Sequence, residues 1–202
     1  SAHPFFLFVG YNGPYGLGEH MTQTHENRHT EYYADKELAC FPREPIHPWL
    51  KQNRQIVNNE ISIRGYAAAV SGVDDGVGEI LAQLAQQGLA ENTLVIFTSD
   101  QGLCAGHHGM WGMGDHARPL HAYEEAIRVP MIWRHPSHIK AGSAFGERTC
   151  NYDFFPSLLD YLNMQRPTQP ELPGQSYAQA LRGEPVNWDG TIFHEFENLR
   201  LI

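Results

Sequence analysis

The amino-acid sequence predicts an α/β protein with a largely parallel central sheet flanked by helices. Short apolar runs of strand length alternate with segments whose apolar residues recur every three or four positions. One run, Asn92 to Phe97, is rich in β-branched and aromatic residues and follows a long helical pattern. A helix that leads into a buried strand is typical of parallel sheets with both faces covered.

The first half of the chain is predicted to contain a strand, an insertion and a helix. The residues from His3 to Tyr11 are predicted to form a buried strand, followed by a turn from Asn12 to Gly16. Residues 19–48 are polar and rich in His and Pro, and such a long irregular segment indicates a functional loop or insertion. Trp49 to Leu84 shows helical periodicity, with Gly88 placed to end the helix.

The second half is predicted to contain a loop, two strands and a helix. After the strand at residues 92–97, residues 103–120 form a loop with four Gly and three His. The remaining expectations are a helical turn at Tyr123 to Ala126, a strand at Val129 to Trp133, a helix at Asn151 to Leu162 and a Pro-rich connector at Arg166 to Gly174. The alternation of Thr191 to Ile202 predicts the first strand of a small antiparallel subdomain, so residues 1–187 are assigned to the α/β domain and residues 188–202 to the start of that subdomain.

Composition excludes several functional classes. The 202 residues are 42% hydrophobic and 18% charged, which suits a globular domain with a core. A formal net charge of −9 gives no basic surface for nucleic acid or anionic lipid, and no apolar run reaches transmembrane length. Three cysteines, Cys40, Cys104 and Cys150, show neither a disulfide framework nor zinc spacing, although one pair could bridge in an exported protein.

Asp100 and Gln101 are the strongest candidate ligands in the sequence. They follow the strand at residues 92–97 directly, and in open α/β sheets ligands bind at the carboxyl ends of strands. A carboxylate beside an amide oxygen suits Ca²⁺ or Mg²⁺ better than zinc. The alternative for such a short motif is a strand-end turn in which the Asp caps the next segment.

An ordered series of motifs resembles the sulfatase family, within the alkaline-phosphatase-like superfamily. The segments are PFFLFVGYNGPYG, the helix and strand ending in TSDQG, then GHHGMWG, YEEAIRVPMI, DFFPSLLDYL and GQSYAQALRG. They cover nearly the whole chain except about residues 19–58, within the usual error of element boundaries. Both chain ends look like cuts through folded structure, so the family's nucleophile region is expected upstream of Ser1.

The resemblance implies a metal-dependent sulfuric ester hydrolase acting on sulfated carbohydrate or another sulfated small molecule. Asp100 and Gln101 match positions that bind calcium in the family, and magnesium would suit the same oxygens. His108 matches a histidine of the active site, and His107 beside it is a candidate sulfate ligand. The nucleophile would be a formylglycine in the upstream region, and family members of this kind are periplasmic or secreted.

Two positions depart from the family pattern, and one short segment matches a family motif by chance. Tyr15 stands where the family's N-x-P-H loop has a sulfate-binding His, and Tyr can still donate a hydrogen bond. Met113 stands where many members have a sulfate-binding Lys, and Arg118 is the candidate replacement for that lost cation. Cys40-Phe41-Pro42-Arg43 is a chance likeness to the nucleophile motif, because it lacks the Ser and follows the first strand.

Two alternative functions remain open at this point. A phosphodiesterase or phosphonate hydrolase of the same superfamily would normally pair Asp with His for zinc or manganese, which Gln101 does not match. A non-catalytic, sulfatase-like binding protein would be consistent with Met113 and Tyr15. The acidic pair Asp74 and Asp75 is expected to form a solvated or helix-stabilising face, without a role in catalysis.

Overall fold

The computed structural model describes residues 3–14, 19–24, 26–114, 118–197 and 199–202. The chain divides into two compact units, one formed by Ser1–Ala82 and Leu103–Leu120, the other by Gln83–Gly102 and His121–Ile202. The helices are α1 (Thr30–Tyr33), α2 (Glu60–Gln86), α3 (Glu124–Ile127), α4 (Asn151–Tyr161) and α5 (Ala178–Leu181), with short 3₁₀ turns at Glu19–Thr22, Ala90–Asn92 and His107–Gly109. The strands are β1 (Val95–Thr98), β2 (Met131–Arg134), β3 (His194–Phe196) and β4 (Leu199–Leu201).

The described strands form two separate two-stranded sheets, and both are antiparallel. β1 pairs with β2, with Val95 opposite Arg134 and Thr98 opposite Met131. β3 pairs with β4 as an antiparallel hairpin, so the residues predicted to form a single first strand form two short strands. The largely parallel sheet and the domain boundary at residue 188 stay predictions.

Two predicted elements are corrected. Residues 4–13 form no strand, and Phe6 and Phe8 are exposed, because strands are held by hydrogen bonds to neighbours and no described segment pairs with this one. Helix α2 begins at Glu60 and not at Trp49. The amide oxygen of Asn59 accepts hydrogen bonds from the backbone N–H groups of Ile61 (3.0 Å) and Ser62 (3.2 Å), which caps the helix there.

The second unit is built on an aromatic core. Trp133 of β2 packs against Tyr161 of α4 and Tyr177, with ring centroids 5.8 Å apart in both pairs. Burial raises the pKa of Tyr177 to about 12. Helix α4 is capped by the buried carboxylate of Asp153, which accepts from the backbone N–H groups of Cys150 and Gln175, both at 2.8 Å.

Hydrogen bonds and ion pairs join α2 to the insertion in the first unit. The insertion residues are Met21, Asn27 to His29 and Tyr33, and their partners on α2 are Ser62, Ala68, Ser71 and Asp75. The Asp75 carboxylate pairs with Arg28 and His29, which lowers its pKa to about 2. Asp75, expected on a solvated or helix-stabilising face, therefore also anchors the insertion to α2.

The three cysteines are free thiols, with Cys104 buried, Cys150 half-buried and Cys40 exposed. Among the described residues, none of the helices has the length and apolar character needed to cross a membrane.

Candidate active-site loop and metal ligands

The strand-end turn of residues 98–102 carries the candidate metal ligands. Asp100 and Gln101 lie just past the end of β1, separated from it by Ser99, and both residues are exposed. The hydroxyl of Ser99 donates to the backbone carbonyl of Gln101 over 2.9 Å and lies 3.4 Å from Asp100 Oδ1. The hydroxyl of Thr98 donates to the carbonyl of Pro130 over 2.9 Å. Side-chain bonds therefore hold the turn at both of its ends while the carboxylate and the amide face solvent.

Gly102 explains why this turn can close against α3. Its backbone N–H donates to the carbonyl of Ala126 over 3.0 Å. A Cβ at Gly102 would lie 2.1 Å from the carbonyl oxygen of Glu125, a distance that no side chain can occupy. This backbone contact was not predictable from the sequence, because it depends on tertiary packing and not on a local pattern.

The donor set of the turn fits a hard cation. Asp100 and Gln101 offer one carboxylate and one amide oxygen, and calcium and magnesium prefer oxygen ligands of these types. Over the described ranges, no three or more His, Cys, Asp or Glu side chains gather where they could hold a metal ion. Asp100 and Gln101 would contribute two ligands to such a site.

The loop of residues 104–113 is held by its own backbone in the first unit. The N–H of Cys104 donates to the Gly112 carbonyl over 3.0 Å, and the N–H of Gly106 donates to the Met110 carbonyl over 2.8 Å. His108 lies in the left-handed region, at φ 59°, inside the 3₁₀ turn His107–Gly109. A non-glycine residue there is uncommon, and such strain concentrates at functional sites. The loop thus fixes the backbone on which both histidines are carried.

Apolar side chains bury the far end of this loop. Trp111 is 0% exposed, with its ring centroid 6.0 Å from that of Tyr66 and 6.4 Å from that of Phe41. Burial raises the pKa of Tyr66. Met113, which stands where many sulfatases have a Lys, is only 6% exposed. An ammonium group with that little exposure would need a partner, so Met suits the environment that the structure shows.

A segment of the insertion packs backbone to backbone against the same loop. The N–H of His47 donates to the carbonyl of Gly109 over 3.0 Å. A Cβ at Gly109 would lie 1.9 Å from the carbonyl oxygen of Pro45, and one at Gly106 would lie 2.4 Å from that of Pro42. The N–H of Lys51 donates to the carbonyl of Arg118 over 2.9 Å. Residues 42–51, called the clamp segment below, therefore contact the histidine turn and Arg118.

The structure brings some predicted residues together and leaves others untested. His107 and His108 are half-buried with ring centroids 6.4 Å apart, and Arg118 is half-buried beside the clamp segment. Tyr15 lies outside the described residues, as does the stretch 115–117. Residues 42–48 of the clamp segment fall in the insertion predicted to be functional, but their contact with the histidine turn was not predicted. The signal that could have found it was the pair Gly106 and Gly109, because glycine marks places where backbones approach closely.

Comparison with known proteins places the chain among sulfatases. The family described as Sulfatase matches residues 1–164. An N-acetylglucosamine-6-O-sulfatase of Bacteroides thetaiotaomicron is 34% identical over 137 residues, which are 66% of this chain and 23% of that protein.

Solved structures match the fold as well. One, bound to its substrate D-glucosamine-2-N,6-O-disulfate, matches 69% of this chain and 27% of its own with a TM-score of 0.60 and 33% identity. Another, a phosphonate monoester hydrolase from Silicibacter pomeroyi, matches 79% of this chain and 29% of its own with a TM-score of 0.55 and 26% identity. The chain spans roughly a quarter of the length of these proteins.

Proposed function

The chain belongs to the sulfatase family, and on that premise we propose that the protein hydrolyses sulfate esters, with a sulfated carbohydrate as substrate. The observation that carries the proposal is the Asp100–Gln101 turn at the end of β1, followed along the chain by the backbone-fixed histidine turn. The substrate class is supported by the relative that acts on 6-O-sulfated N-acetylglucosamine and by the structural match bound to a glucosamine disulfate. Periplasmic or secreted location is proposed from the family alone.

Asp100 and Gln101 would hold a calcium ion through one carboxylate and one amide oxygen. A bound divalent cation offsets the negative charge of a sulfate group and orients it for attack. Such local positive charge is needed because the chain carries a formal net charge of −9, which repels an anionic substrate. The nucleophile is proposed to be a formylglycine.

The side chains around the sulfate are proposed to act as hydrogen-bond donors. His108 is the candidate catalytic group, placed to donate to the ester oxygen as the bond breaks. His107 and Arg118 are candidate sulfate ligands, and both belong to elements that contact the clamp segment. Tyr15 is proposed to donate its phenolic hydrogen where many relatives use a His.

Phosphonate monoester hydrolysis is the second candidate function. The structural match to a phosphonate monoester hydrolase supports it, at a lower identity than the match to the glucosamine disulfate complex. Gln101 does not favour phosphonate hydrolysis, because zinc and manganese sites of that kind favour an imidazole ligand where this chain has an amide.

Parallel turnover assays separate the two functions. The enzyme would be assayed on 6-O-sulfated N-acetylglucosamine and on a phenyl phosphonate monoester, each with His108→Gln and with His138→Gln as a matched control outside the site. We expect the sulfate ester to be the better substrate, with kcat/KM lowered about 100-fold by His108→Gln and unchanged by His138→Gln. Faster turnover of the phosphonate would establish the second function. Turnover of neither ester would mean that the protein is a non-catalytic binding protein.

A further inference from the structure

Trp49 is the exposed aromatic residue of the clamp segment. It is 72% exposed, whereas Trp111 in the neighbouring loop is 0% exposed. Two residues before it, His47 donates its backbone N–H to Gly109, and two residues after it, Lys51 donates to Arg118. Trp49 therefore lies midway between the contacts that tie this segment to both candidate sulfate-binding elements.

The backbone around Trp49 is also fixed by hydrogen bonds within the segment and its neighbours. The N–H of Leu50 donates to the carbonyl of His47 over 3.0 Å, and Arg54 donates to the carbonyl of Leu50 over 2.9 Å. Leu50 itself is buried. A ligand that docks on Trp49 would meet a backbone already held in place, which reduces the entropy lost on binding.

His47 adds a polar group to the same surface. Its Nδ1 accepts the backbone N–H of Trp49 over 3.2 Å, and the two rings lie edge to face with centroids 5.9 Å apart. Because Nδ1 acts as acceptor, the neutral imidazole carries its proton on Nε2, which makes that atom a donor. An exposed indole beside an N–H donor matches a pyranose ring, which has apolar C–H faces and hydroxyl groups around its edge.

Exposure alone would not mark Trp49, because single apolar side chains are common on protein surfaces. Phe6 is also exposed, but residues 4–13 themselves form no helix or strand. Tyr32 is exposed on α1, where its ring contacts Tyr33 and Lys36 of its own helix region. What distinguishes Trp49 is the attachment of its segment to the histidine turn and to Arg118.

We propose that Trp49 stacks on the C–H face of the pyranose ring that bears the sulfate ester, with His47 Nε2 donating to a ring hydroxyl. This inference rests on the proposed function and deepens it, because it assigns substrate selection to the clamp segment. Residues 42–51 form no helix or strand, and in loops of this kind selectivity among sulfate esters can differ without change to the chemistry.

The test combines kinetics with direct binding in the complete enzyme. Trp49→Ala is expected to raise KM for 6-O-sulfated N-acetylglucosamine about tenfold. The Ki of inorganic sulfate should stay at the wild-type value, because sulfate has no sugar ring to stack on Trp49. Trp49→Phe should restore most of the affinity because it keeps an aromatic face. Tyr32→Ala, a matched exposed aromatic of the insertion, should leave KM as in the wild type. Separately, the sulfated sugar should shield tryptophan fluorescence from acrylamide in the wild type and not in Trp49→Phe.

The outcomes separate this inference from the proposed function. Turnover of the sulfated sugar with an unchanged KM in Trp49→Ala would overturn the role of Trp49 and leave the proposed function standing. If the sugar shields tryptophan fluorescence but is not hydrolysed, Trp49 binds the sugar and the proposed hydrolysis is refuted. Neither turnover nor shielding would overturn both.

Discussion

The loop of residues 104–113 and the strand-end turn of residues 98–102 both carry candidate functional side chains, yet they are held in different ways. The loop is buried at Trp111 and Met110 and clamped by the backbone of residues 42–51. The turn is exposed at Asp100 and Gln101 and is held by two hydroxyl groups and by one glycine contact. Packing thus determines the backbone of the loop, whereas the turn presents polar groups to solvent. Substitutions should damage the loop through stability and the turn through ligand affinity.

The largest effect on stability is expected at Gly109. Alanine there would place its Cβ 1.9 Å from the Pro45 carbonyl oxygen, so the clamp segment would have to move. We expect Gly109→Ala to lower the free energy of unfolding by about 3 kcal/mol or more, measured by chemical denaturation. The matched control is Gly88→Ala, because Gly88 has a similar φ of +68° with no atom near the added Cβ. The control should lose only about 1–2 kcal/mol of unfolding free energy, from the left-handed backbone alone. Equal losses in the two variants would show that the clamp segment does not pack against Gly109.

A smaller loss of stability is expected at Gly102 in the strand-end turn. A Cβ 2.1 Å from the Glu125 carbonyl would push the turn away from α3, at a cost of about 2 kcal/mol. Gly146→Ala serves as the control, since nothing lies within 4 Å of its added Cβ. If Gly102→Ala is as stable as Gly146→Ala, the contact between the turn and α3 is not formed.

Ser99→Ala should weaken metal binding without unfolding the turn. The Ser99 hydroxyl bonds the Gln101 carbonyl, and losing one such bond is worth about 1 kcal/mol, or roughly fivefold in calcium affinity. Isothermal titration with calcium would measure it. Ser143→Ala removes a similar hydroxyl-to-carbonyl bond to Lys140 in an exposed loop and should not change the affinity. A fall in affinity of equal size in both variants would remove the specific role of Ser99.

The smallest effect on stability is expected at Asp75, which pairs with Arg28 and His29 of the insertion. Its pKa of about 2 lies below the ordinary value of about 3.9, so the pairing with Arg28 and His29 stabilises the folded state above about pH 4. That contribution is lost as the pH falls through about 2. Carboxyl-carbon NMR should show the pKa of Asp75 rising in Arg28→Ala. Arg64→Ala, which removes an arginine of α2 that pairs with Glu60, should leave it unchanged. A rise in the control as well would mean that general charge, not pairing, sets the pKa.

The sequence predicted those features of the molecule that depend on local pattern. The helix at 151–162 and the turn at 123–126 were expected from periodicity, and the structure confirms them as α4 and α3. The family was recognisable because its motifs occur in order, and the comparisons confirm it. The position of Asp100 and Gln101 at a strand end was predictable, because a short β-branched run ends just ahead of them along the chain.

Features that depend on distant partners were not predictable in the same way. Residues 3–11 have strand composition, but a strand forms only where a neighbour supplies hydrogen bonds, and no described segment does so. The contacts of the clamp segment with Gly109 and Arg118 were not predicted, because they join residues far apart in the chain through backbone atoms, which leave little trace in side-chain identity. The partners of Asp75 were not predictable for a related reason, since they come from the insertion.

Calcium stoichiometry of the Asp100→Ala variant tests the central proposal most directly. The complete enzyme would be purified with Asp100→Ala and with Asp74→Ala, which removes an exposed carboxylate of the same kind from α2. Metal content by mass spectrometry should fall in Asp100→Ala and stay at the wild-type level in Asp74→Ala, because only Asp100 is proposed as a ligand. Wild-type calcium content in Asp100→Ala would contradict the proposed metal site and the mechanism built on it.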